Sequence, residues 1–184
     1  VIFNRDLYTG VSIIKMSEEL DAGPILRQEK VMLDHTETFG SLHGVLSELG
    51  AKNLLKTLYN IDANEEILQN ERFVSYAPKI KKLDAKLDFN SQASALEARI
   101  RGLAPTPGAW FEYKKERFKV FSAEVVEGNG KAGSIINENL TIACGKKALN
   151  ILEIQRQGKD VMSVSDLLRG FKFKKGDNVN QSTR

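Results

Sequence analysis

The constraint that most limits this fold lies between residues 109 and 155, where the sequence breaks into five short β-favouring runs. They cover 109–113, 117–126, 133–137, 140–144 and 148–155, parted by Gly, Asn and Lys turns. Strands this short and this closely spaced point to a small OB-like β-barrel. Short helices flank it. Ser94-Ala95-Leu96-Glu97 has the capping-box pattern and opens a helix with Leu96, Ile100 and Leu103 on its apolar face and Arg99 and Arg101 off it, stopped before Pro105. Ser163-x-x-Asp166 caps a last helical turn that Gly170 ends, and the polar remainder to Arg184 reads as frayed.

The text before residue 79 differs in kind. Residues 10–16 form a nearly continuous β-branched run, as in a strand covered on both faces, and 25–33 suits a second strand after the turn Asp21-Ala22-Gly23-Pro24. Thr38 can cap a helix in which Leu42, Val45, Leu46, Leu49, Leu54, Leu55, Leu58 and Ile61 form the buried face, interrupted by Gly50. This combination is expected to be an α/β remnant, the last strands and helix of a larger layered domain. From about 62 the periodicity fades into a polar passage ending at Tyr76-Ala77-Pro78, so the expected domains are 1–78 and 79–184.

Charge divides at the same place. Up to Pro78 there are 7 Lys and Arg against 12 Asp and Glu, net −5; beyond it there are 20 against 12, net +8. The second part is the one suited to a polyanion. No apolar run reaches the ~18 residues of a membrane helix, and the first residues lack a signal-peptide progression, so a cytoplasmic location is expected. Cys144 alone cannot form an internal disulfide; alternating with Leu140 and Ile142, it reads as a buried strand thiol. His35 and His43 give no metal-ligand spacing, and no metal is expected. Trp110, Phe111 and Tyr113 read as core or hinge packing in preference to a base-stacking platform. With Val1 first and no cap before it, the chain is expected to begin within a larger protein.

The segment from Thr9 through Leu20-Asp21-Ala22-Gly23-Pro24 resembles the folate-dependent formyltransferase signature, a strand leading to a loop that ends in Asp-x-Gly. An isolated Asp-x-Gly would be an ordinary turn. Here the likeness continues through residues 38–50, Tyr76-Ala77-Pro78-Lys79-Ile80, Leu87-Asp88-Phe89, Arg99-Ile100-Arg101-Gly102-Leu103, Pro107-Gly108-Ala109-Trp110, Gln155-x-x-Gly158-Lys159 and residues 162–168, a series similar to methionyl-tRNA formyltransferases. Lys172-Phe173-Lys174-Lys175 departs from that family's compact ending.

The resemblance implies a Rossmann-like formyltransferase remnant followed by a tRNA-facing barrel. It further implies formyl transfer from 10-formyltetrahydrofolate to the amino group of methionyl initiator tRNA, for translation initiation. Asp21 stands where the family's catalytic aspartate orients a histidine and works with an asparagine. Leu20 and Asp21 would form the folate loop. The family's Asn and His precede this aspartate, and His35 and His43 do not match them, so this chain alone is expected to be inactive without the enzyme's first half. Lys79, Lys81, Lys82, Lys114, Lys115, Lys146 and Lys147 are the candidate tRNA contacts, with Lys119 near them. A sugar-nucleotide formyltransferase and a tRNA-binding module without catalysis are the rival readings.

Overall fold

The computed structural model describes residues 1–179. Two apolar clusters organise them: a small one of Ile2, Leu33 and Leu42, and a large one running from Ala85 to Val179.

The first cluster sits under a hairpin and a helix. β1 (Tyr8–Ile14) pairs antiparallel with β2 (Ile25–Met32), with a register shift between Ile13 and Ile14. The strand expected to be covered on both faces is not: β1 alternates exposed and half-buried residues, one face on the helix and the other open. α1 (Phe39–Tyr59) starts at the reciprocal Thr38–Ser41 capping box, in which the Ser41 amide donates to Thr38 Oγ1 at 3.2 Å and the Thr38 amide donates to Ser41 Oγ at 3.0 Å. Gly50 does not interrupt it. A Cβ there would meet only Val11, at an ordinary contact distance of 4.0 Å.

The expected apolar face needs correcting. Leu42 is buried and Leu46 and Leu49 are partly covered, but Val45, Leu54, Leu55, Leu58 and Ile61 are 45–57% exposed. The fully buried row is polar, Asn53 and Thr57, each 1% exposed. Asn53 Nδ2 donates to Glu29 Oε2 of β2 at 3.0 Å and to the Leu49 carbonyl at 2.9 Å, and Thr57 Oγ1 donates to the Asn53 carbonyl at 2.8 Å. The donors of that seam are satisfied, while Asn53 Oδ1 is buried with no partner among the described residues.

The large cluster is wrapped by a five-stranded antiparallel sheet. Its strands are β3 (Ala109–Tyr113), β4 (Glu116–Val126), β5 (Thr141–Ala143), β6 (Ala148–Arg156) and β7 (Val161–Ser163), in the order β3-β4-β6-β5 with β7 beside β6. β3 and β4 join through Lys114-Lys115, both at positive φ (51° and 66°), the geometry of a two-residue hairpin whose twist matches its strands. Register shifts on either side of Ser122 bend β4, and the sheet curls over α2 (Ala93–Leu103), which inserts Leu96, Ile100 and Leu103 beneath it.

Three sequence expectations change here. The helix cap is Gln92, not Ser94, because the Ala93 amide is taken by the Lys146 carbonyl at 3.0 Å, and Glu97 instead pairs with Arg101. Arg101 is 9% exposed, not off the packed face; its Nη1 donates to the Glu37 carbonyl at 2.9 Å, joining α2 to the base of α1. Residues 133–137 form no strand: Asn137 Oδ1 accepts from the amides of Asn139 and Thr141, both at 3.0 Å, and turns the chain, leaving isolated bridges from Ile135 to Ile142 and from Ser134 to Asn178.

Strand pairing leaves the curled sheet open between β3 and β5. After α3 (Val164–Gly170), capped by Ser163 as expected, residues 171–179 close that gap. Phe171 and Phe173 pack on Phe118 with centroids 5.3 and 5.2 Å away, and Phe173 lies 4.9 Å from the Tyr113 ring. Tyr113 Oη donates to Asp177 Oδ2 at 2.7 Å and accepts from the Lys174 amide at 3.1 Å. On the far side Gly176, Ile135, Asp177, Val179 and Gly133 exchange backbone bonds of 2.8–2.9 Å. The frayed ending expected from the sequence therefore fails for 171–179, and 180–184 lie outside the described residues.

Truncating Phe173 to Ala should cost about 3–5 kcal/mol of stability by leaving a cavity among four aromatic rings, and Tyr113→Phe about 1–2 kcal/mol. Urea unfolding followed by the fluorescence of the single Trp110 reads both; a Phe173→Ala midpoint equal to the unaltered one would remove the strap from the core.

Candidate functional site

The loop between β1 and β2 carries Leu20 and Asp21. Its ends meet where the Lys15 amide donates to the Pro24 carbonyl at 2.9 Å. Gly23 is required at this closure, since a Cβ would lie 1.7 Å from the Lys15 carbonyl oxygen. From the polar passage, Ile67 exchanges two backbone bonds with Ile25, at 2.8 and 3.0 Å. Gln69 Nε2 donates to the Asp21 carbonyl at 2.8 Å and the Gly23 carbonyl at 2.7 Å. Lys15 Nζ pairs with Glu66 at 2.6 Å, so three successive contacts staple the loop to residues 66–69.

On this support Asp21 is exposed and left-handed, φ +55°. Among the described residues nothing is bonded to its carboxylate, although an aspartate at a turn ordinarily caps a nearby amide. Leu20 beside it is 92% exposed, and with Met16, Glu18, Glu19 and Gly23 both border a shallow hollow. None of the seven candidate lysines lines it. His35, at φ +70°, and His43, on α1, lie outside it as well, and no group of His, Cys, Asp and Glu among the described residues could hold a metal. Cys144 is 6% exposed and lies just beyond β5; burial pushes its thiol up to about 11, so it stays protonated and unreactive near neutrality. Trp110, Phe111 and Tyr113 are 6%, 1% and 3% exposed, the packing role expected of them.

The seven lysines are all exposed but do not form one patch. Lys79 and Lys81 border an open groove with Ile2, Phe3 and Tyr76, and the Lys82 carbonyl accepts from Trp110 Nε1 at 3.1 Å. Lys114-Lys115 precede β4 at Glu116, whereas Lys146-Lys147 precede β6 at Ala148, which pairs with Val126 at the opposite end of β4. Ten residues at ~3.3 Å rise place the two pairs up to ~33 Å apart along that strand. Lys147 is also committed to Glu127 at 2.6 Å. Gln69, which the loop's placement requires, carried no signal in a stretch without periodicity.

Replacing Gln69 with Ala should release the two loop carbonyls and speed amide exchange around residues 23–25 about five- to tenfold, corresponding to ~1 kcal/mol of local stability. Unaltered protection there would show that Gln69 does not hold the loop.

No helix of the described residues is long and apolar enough to cross a membrane. Residues 79–172 match the family described as "Formyl transferase, C-terminal domain". The chain is 39% identical over 178 residues to a methionyl-tRNA formyltransferase of Paramagnetospirillum magneticum, covering 95% of the chain and 58% of that relative, so it spans somewhat over half the relative's length. Among solved structures, HypX from Aquifex aeolicus in complex with tetrahydrofolic acid superposes with a TM-score of 0.68 at 19% identity, over 96% of this chain and 34% of that one. A methionyl-tRNA formyltransferase from Clostridium thermocellum gives 0.55 at 18% identity, over 88% and 60%. At these identities the structures speak for the fold. With its curled antiparallel sheet and a family match across half its length, the chain belongs to the formyl transferase C-terminal domain family.

Proposed function

We propose that the protein carrying this chain transfers a formyl group from 10-formyltetrahydrofolate to the amino group of methionyl initiator tRNA, marking it for translation initiation. Residues 1–78, with their passage from about 62, are the end of a Rossmann-like catalytic domain; residues 79–184 are an OB-like, tRNA-facing domain. Two separate apolar clusters support that division. The match to the P. magneticum enzyme extends over both. The complex of HypX with tetrahydrofolic acid supports a folate co-substrate.

The observation carrying the catalytic assignment is the unengaged Asp21 carboxylate on a loop that other residues hold in shape. A residue needed only for the turn would spend its carboxylate on the turn. In the reaction the amine nitrogen attacks the formyl carbon, charge develops on the formyl oxygen, and the bond to the folate nitrogen breaks as the attacking nitrogen loses a proton. A histidine and an asparagine of the family stabilise that oxygen, and Asp21 orients the imidazole and favours its charged form. Leu20 contributes an apolar surface beside the folate. Both partners of Asp21 come from outside this chain, so the 184 residues alone should show no turnover.

In the complete natural protein, Asp21→Asn keeps the shape and removes the charge, and should lower kcat on the order of 100-fold or more with methionyl initiator tRNA. A kcat within threefold of the unaltered protein would refute the role. Formylation of an amino sugar nucleotide, with none of methionyl-tRNA, would overturn the substrate assignment in favour of the sugar reading. Binding of tRNA without turnover by the complete protein would leave only a binding module.

A further inference from the structure

The strap at residues 171–179 turns a sequence oddity into a surface. Phe171 and Phe173 point into the core, so the alternating Lys172 and Lys174 stand outward, and Lys175 follows them before the turn at Gly176. The Lys174 amide is bonded to Tyr113 Oη, which brings this row against the hairpin tip of Lys114 and Lys115. Lys114 lies over the Tyr113 ring at 5.0 Å and lines, with Lys131, Ser134 and Asp177, a hollow of about 460 Å³ beside the strap. All six lysines are exposed, and among the described residues none is in an ion pair. The one carboxylate lining the hollow, Asp177, is occupied by Tyr113.

We infer that this cluster, Lys114, Lys115, Lys131, Lys172, Lys174 and Lys175, is where the second domain grips the phosphate backbone of its RNA, and that Lys146 and Lys147 are not part of the grip. The inference rests on the tRNA reading above and names its surface. Outward residues of an extended strap repeat every ~6.6 Å, twice the rise per residue, so Lys172 and Lys174 meet separate phosphates. The aromatic packing behind the strap fixes that spacing before binding, which limits the ordering cost. Lys146 and Lys147 stand at the other end of β4, up to ~33 Å from the hairpin tip, where Lys147 shares an exposed ion pair with Glu127.

The test uses the complete natural protein and initiator tRNA, with affinity measured across a salt series. Lys172→Gln with Lys174→Gln should weaken binding at least tenfold and flatten the slope of log affinity against log salt by about 1.4–1.8, the loss of two phosphate contacts. Lys172→Arg with Lys174→Arg should restore both quantities, and thermal unfolding should be unchanged because both side chains are exposed. Lys146→Gln with Lys147→Gln should stay within twofold. Unchanged affinity and slope in the strap variant, with normal binding by the unaltered protein, would overturn the inference and leave the tRNA reading intact. No tRNA binding by the unaltered protein would overturn both.

Discussion

Closure of the curled sheet depends on one aromatic contact set, the packing of Phe171 and Phe173 against Phe111, Tyr113 and Phe118. The strands alone end with β3 on one side and β5 on the other, and each would expose an edge to solvent. Residues 86–87 cover the outer edge of β3, where the Leu87 amide donates to the Trp110 carbonyl at 2.7 Å. The strap then spans from Tyr113 to the 133–135 segment, which itself bridges to β5. The ring of contacts is complete only through it. Everything the large cluster buries, including α2, depends on that seal.

The first cluster follows a different logic. Its hairpin and helix meet across a polar seam, Glu29 to Asn53 to Thr57, and Leu54, Leu55 and Leu58 in the second half of the helix look outward. Hydrogen bonds set the alignment of α1 on the hairpin there, and apolar burial is concentrated at the Leu42 end. Joined through Arg101 and through the Gly40 amide on the Ala104 carbonyl, the two clusters touch at the base of α1, while the Asp21 loop sits at the far end of the hairpin. Loop and curled sheet are thus tied to one frame but do not share a surface.

Much of this architecture was legible. β3 and β6 lie almost where the short β-favouring runs placed them, and Thr38 and Ser163 cap the helices expected, since these signals are local. What failed was what depends on partners distant in sequence. The leucines of α1 recur at helical spacing, yet the spacing cannot say that Glu29 would claim the face bearing Asn53. Phe171-Lys172-Phe173-Lys174-Lys175 reads as a solvated tail because its two aromatics find their partners some fifty to sixty residues earlier. The role proposed for Asp21 rests on the company of motifs around it, and Gln69 gave no signal at all, because a side-chain amide reaching back 48 residues leaves no pattern.

The staple from Gln69 makes the loop sensitive to length changes elsewhere in the chain. Between Asn60 and Gln69 the path is measured at both ends, by the Asn64 contacts with the end of α1 and by the Ile67 and Gln69 contacts with the loop. An inserted or deleted residue there would shift the register of the amide against Asp21 and Gly23 and misplace the aspartate without touching it. Beyond Asn70, where every residue through Lys79 is exposed, the same change would be absorbed by slack. Sequences related to this one should therefore vary in length on one side of Gln69 and hold constant on the other.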